Sequence, residues 1–102
     1  MKLTNDQKEL IKNYLKQKVV FEILSLELIH KTIFELYNLL KIPGLQISYL
    51  PYFGPNENQS STVRADSFSL VLAIHNEVGI LEKMYTVSIH PITELEIVKI
   101  KG

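Results

Sequence analysis

Residues 67–90 read SFSLVLAIHNEVGILEKMYTVSIH. Apolar residues fall on every second position in the first half: Phe68, Leu70, Leu72 and Ile74. In the second half Leu81, Tyr85, Val87 and Ile89 continue the same period. A period of two marks strands with one covered face. Between the halves lies Asn76-Glu77-Val78-Gly79, a turn-forming four. The spacing predicts a hairpin with strands over about Arg64–Asn76 and Ile80–His90. Pairing across the turn sets residues whose numbers sum to about 155 opposite one another. Ile74 then meets Leu81, Leu70 meets Tyr85 and Phe68 meets Val87, all on one face. The other face carries Ser67, Ser69, Val71 and Ala73 against Met84, Thr86 and Ser88. It is hydroxylated and half apolar, as suits a face open to water or to another subunit.

Two further strands are expected on either side of the hairpin. One covers Leu45–Tyr52, with Leu45, Ile47 and Tyr49 facing the core. The other covers about Glu94–Lys101, where Leu95 and Ile97 share one parity and Val98 and Ile100 the other. A bulge near Ile97-Val98 would restore one core face; cover on both faces is the alternative.

Ahead of Pro43-Gly44 the chain has neither Gly nor Pro, and the period becomes helical. Thr4 with Gln7 three residues on is a capping-box pattern. Leu10, Ile11, Tyr14 and Leu15 then share a face, with Lys8, Lys12 and Lys16 opposite. The pattern slips at Val19. An unbroken helix to residue 41 would be roughly 55 Å long, too long for a domain of this size. Two helices with a break near Lys18–Val20 are expected, and a short strand at Val19–Leu24 is the alternative. The second helix runs to about Lys41 with a solvent stripe of Glu27, Lys31, Glu35 and Asn38, and Pro43-Gly44 ends it.

These elements predict an α+β fold: one domain over 1–102, with two N-terminal helices packed on one face of a four-stranded antiparallel meander sheet, in the order α-α-β-β-β-β. At 102 residues the chain has room for one core, and 46% apolar content is enough to build it. Val19–Ile42 is the most apolar stretch, but Glu22, Glu27, Lys31 and Glu35 interrupt it. Each would cost about 2.5–3.5 kcal/mol at a bilayer centre, so no membrane span is expected. The polar opening MKLTNDQKEL lacks the pattern of a signal peptide, so Asn58-Gln59-Ser60 reads as a chance glycosylation match. With no Cys and no leader, a cytoplasmic location is expected.

Formal charge is zero, with 11 basic and 11 acidic residues. Such a balance exerts no overall pull on nucleic acid and little repulsion between copies. Lys8, Lys12 and Lys16 form a basic ridge, but the only Arg is Arg64 and no aromatic interleaves the lysines. A solvated helix face outweighs a nucleic-acid footprint. His30, His75 and His90 do not converge, since His75 sits by the hairpin turn and His90 roughly 33 Å along the strand. Glu94, Glu96 and Asp66 read as solvated edge charges. Glycines 44, 54, 79 and 102 are too scattered for a phosphate loop. No catalytic centre, metal site or cofactor is expected.

Residues 49–66, YLPYFGPNENQSSTVRAD, divide into a strand end, a bend at Pro51–Pro55 and a polar tip. Tyr49 and Phe53 point to the core, leaving Tyr52 and Arg64 as exposed contacts. The expected function is a non-enzymatic protein–protein interaction module, a homodimeric regulator, adaptor or inhibitor. Tyr52, Arg64, Val19, Ile23 and Leu26 are its candidate contacts. A small-molecule pocket between helix 2 and the sheet, using His30, Tyr37, Tyr49 and Tyr85, is the first alternative. Weak nucleic-acid binding through the basic helix is the second.

Overall fold

Asn5–Lys18 form the first helix, α1, and its start follows from the capping box. The Thr4 amide donates to Gln7 Oε1 at 2.9 Å, and the Gln7 amide donates to Thr4 Oγ1 at 3.1 Å. Two amides that helix geometry leaves without partners are thus satisfied locally. Ile11 and Leu15 are fully buried, while Leu10 stays at the rim. The computed structural model describes residues 2–18, 23–50, 62–64, 68–88 and 96–101, with backbone alone at 18, 23, 62–64 and 96–101.

The helical region is divided, as the slip at Val19 predicts. A short strand, β1 (Ile23–Ser25), precedes the second helix, α2 (Leu26–Leu40). Ser25 ends the strand and caps the helix. Its extended backbone places Oγ to accept from the Leu28 amide at 3.1 Å. Ile29, Thr32, Leu36 and Leu40 form the buried stripe. The Thr32 hydroxyl donates to the Leu28 carbonyl one turn back, at 2.7 Å, so its burial leaves no unsatisfied group. The helix runs to Leu40 and is capped by Lys41, at the expected end, so the cap itself precedes Pro43-Gly44. Lys41 adopts the left-handed conformation (φ 50°), and its amide closes on the Tyr37 carbonyl at 3.1 Å.

Five more strands follow: β2 (Leu45–Leu50), β3 (Thr62–Arg64), β4 (Ser69–His75), β5 (Leu81–Ser88) and β6 (Glu96–Lys101). The class is α+β with an antiparallel sheet, but the element order differs from the expected α-α-β-β-β-β. The anticipated strand over Arg64–Asn76 is two elements. Arg64 closes β3, which pairs with β1 in a separate two-stranded ribbon, and the core strand begins only at Ser69. The reason is visible in the chain. Alternation of apolar residues sets in at Phe68, and Arg64 belongs to the polar run before it. The main sheet has the order β2-β4-β5-β6.

The register of the hairpin also needs correction. Leu70 opposes Val87 and Leu72 opposes Tyr85, two residues away from the expected pairing; Ile74 opposes Lys83. Two features absorb the difference. Gly79, at φ 86°, follows a turn closed by its own amide on the Asn76 carbonyl, and the Asn76 amide reaches the Ile80 carbonyl. This is a three-residue loop with a glycine bulge. A second irregularity leaves Glu82 outside the ladder, because His75 pairs with Leu81 while Ile74 pairs with Lys83. A shift of two preserves the face. Leu70, Leu72, Ile74, Tyr85 and Val87 are all buried and join Ile47, α1, α2 and Leu24 in one cluster. The bulge expected at Ile97-Val98 lies further on, where Met84 pairs with Lys101 but Tyr85 with Lys99.

Candidate functional site

The phase of the β2–β4 ladder decides what its outer edge offers. The His75 amide donates to the Gly44 carbonyl at 2.9 Å, which makes Gly44 and His75 a hydrogen-bonded pair. Alternation then turns the amides of Leu45, Ile47 and Tyr49 away from β4. The Leu45 amide donates to the Ile42 carbonyl at 3.3 Å. The Ile47 amide donates to the hydroxyl of Tyr37, which α2 holds over the strand. Tyr49 lies against His30, with Nε2 3.3 Å from the phenol oxygen, and its ring stacks on Phe68 at 6.2 Å. The segment from α2 into β2 therefore occupies the outward amides of Leu45 and Ile47 on this edge of the sheet.

The four pocket candidates fall into two groups by their hydrogen bonds. His30, Tyr37 and Tyr49 share the α2–β2 flank. Tyr85 is buried on β5, where its hydroxyl accepts from the Leu3 amide at 3.1 Å. Their polar atoms serve the fold, three of the four through hydroxyls engaged with backbone or with a neighbouring ring. Lys8 Nζ sits 5.8 Å above the Tyr85 ring, so the first lysine of the basic ridge turns toward the sheet. A cleft of about 470 Å³ opens beside Lys2, Lys8 and Tyr85.

A larger open cleft, about 760 Å³, lies between Pro43-Gly44 and the β4–β5 turn. Two of its polar lining residues, His75 and Asn76, bond to backbone. His75 Nδ1 donates to the Gly44 carbonyl at 3.1 Å, and Asn76 Oδ1 accepts from the amides of Val78 and Ile80. No group of three His, Asp or Glu side chains among the described residues is arranged to hold a metal ion.

Of the proposed contacts, Val19 and Tyr52 lie outside the described residues, as does His90. Ile23 and Arg64 are brought together, directly opposite one another in the β1–β3 ribbon. Leu26 opens α2 and is half-buried. Glu35, read as part of a solvent stripe, instead accepts a hydrogen bond from the Tyr14 hydroxyl and ties α1 to α2. Desolvation, then the hydrogen bond and charge of Glu35, raise the Tyr14 phenol well above its ordinary value.

Sequence reasoning missed the exposure of Phe34, which is 68% accessible. The signal was present: two positions before Leu36 puts Phe34 about 160° round the helix from the buried stripe. On the sheet, the second face stands apart from the core cluster. Ser69, Val71, Ala73, Met84, Thr86 and Ser88 are half-buried, Leu50 at the edge is exposed, and none joins the core cluster.

No family model matches the chain, and neither a curated protein nor a solved structure does. Among the described residues, no helix is long and apolar enough to cross a membrane.

Proposed function

We propose that this chain is a non-enzymatic protein–protein interaction module that works as a homodimer, in a reducing compartment such as the cytoplasm. One observation carries the reading: the second sheet face. Leu50, Val71, Ala73 and Met84 lie there among Ser69, Thr86 and Ser88, outside the core cluster. A face left to water alone normally alternates to strongly polar residues. Small apolar and hydroxyl side chains desolvate cheaply and suit a protein partner better. Zero net charge removes the repulsion that would oppose a second copy. Exposed Phe34 on α2 adds a large apolar side chain to the available surface.

Light scattering coupled to size exclusion, across a dilution series, tests the reading. The expected mass is twice the monomer's 11.7 kDa, falling toward it on dilution. A monomer at every concentration, including the highest attainable, rejects self-association.

A further inference from the structure

We propose that two copies join edge to edge through β6, in antiparallel register about a two-fold axis at Val98. The inference rests on the self-association reading and names its contact. A sheet of order β2-β4-β5-β6 has two edges, and they differ. At β2 the outward amides of Leu45 and Ile47 are taken by Ile42 and Tyr37, so an added strand would find those two donors occupied. At β6 no described strand pairs on the side away from β5.

The bulge in β6 supplies charge complementarity. Glu96, Val98 and Lys101 stand opposite Ser88, Thr86 and Met84, which are alternate residues of β5. The bulge thus brings Lys101 to the rung where position 100 would otherwise stand. In an antiparallel pair centred on Val98, Glu96 of each copy falls opposite Lys101 of the other. Ile97 of each copy falls opposite Lys99 of the other. Lysines on an edge strand ordinarily discourage pairing. Here the acidic and basic positions lie on opposite sides of Val98, so the charges select one register. The axis stands normal to the sheet. Both second faces therefore end on the same side of one continuous eight-stranded sheet, doubling the surface offered to a partner.

The chain has no cysteine, so single-cysteine trapping is clean. Residues directly opposite in an antiparallel pair are about 4.5–5.5 Å apart at Cα, within disulfide reach. Val98→Cys under mild oxidation is expected to give a covalent dimer, whereas Ala73→Cys, on the sheet face, is not. Charge reversal provides the second arm. Glu96→Lys and Lys101→Glu are each expected to weaken the dimer by about tenfold, and the double reversal to restore it. A dimer trapped by Ala73→Cys and not by Val98→Cys, and indifferent to both reversals, overturns β6 pairing while self-association stands. A monomer throughout, with no trapping at either position, overturns both.

Discussion

The hydroxyl of Tyr37, near the end of α2, accepts the amide hydrogen of Ile47 in the middle of β2. A helix side chain thereby occupies the outward hydrogen-bonding position of an edge strand. Tyr37→Phe removes the acceptor and keeps the ring. A part-buried amide left without its partner costs about 1–3 kcal/mol. Stability should fall within that range in denaturant unfolding. Amide exchange at Ile47 should accelerate more than at Leu72, its cross-strand neighbour.

Gly44 and Lys41 both adopt positive φ, at 76° and 50°, and differ in what surrounds them. A Cβ on Gly44 would collide with the carbonyl oxygen of His75, which is backbone and cannot move aside. Gly44→Ala should therefore cost more than the roughly 1 kcal/mol expected from left-handed geometry alone, and should separate the end of β2 from β4. Lys41→Gly should act in the opposite sense and raise stability by up to about 1 kcal/mol, since the terminating residue of α2 no longer carries a Cβ in that conformation. Thermal unfolding of both variants gives the signs directly.

Tyr14 holds its proton more tightly folded than unfolded, because of desolvation and of Glu35. A raised folded value means that the native state retains a proton which the unfolded chain releases. The associated stability is complete below the ordinary phenol value of 10.0 and is lost as pH rises beyond it. Unfolding of the parent chain at increasing alkalinity should show a steeper loss of stability than Tyr14→Phe. Parallel curves would reject the linkage.

Ser25 has two roles within one residue, ending β1 and capping α2. Ser25→Ala keeps the strand position and removes the acceptor for Leu28. A loss of about 1 kcal/mol is expected, and Ser25→Asp should recover most of it. The helical signal in circular dichroism reports both.

The parts of the fold legible in the sequence were those where one local signal acted alone. The Thr4–Gln7 capping box formed as expected because both partners lie within one turn. The core parity of Leu70, Leu72, Ile74, Tyr85 and Val87 was legible because a strand's period is insensitive to a shift of two. Register was misjudged because the glycine bulge and the extra Glu82 add residues without changing parity. The partners of the candidate pocket residues were not legible for a different reason. Tyr37, Tyr49 and Tyr85 look alike as half-apolar residues near a core, yet each hydroxyl has a separate neighbour far along the chain: Ile47, His30 and Leu3.

What the sequence by itself determined is the local grammar: two helices, the alternating strands, the half-apolar second face, and the lack of a recognisable catalytic motif. All of these depend on residues a few positions apart. Only the tertiary structure decided that Arg64 pairs with Ile23 outside the main sheet, that Glu35 clasps Tyr14, and that Tyr37 of α2 takes the outward amide of Ile47 on one sheet edge. Each is a partnership between a polar group and a distant segment. Hydrophobic period states which side of an element is covered, but it carries no information on which donor will meet which acceptor once the elements are packed.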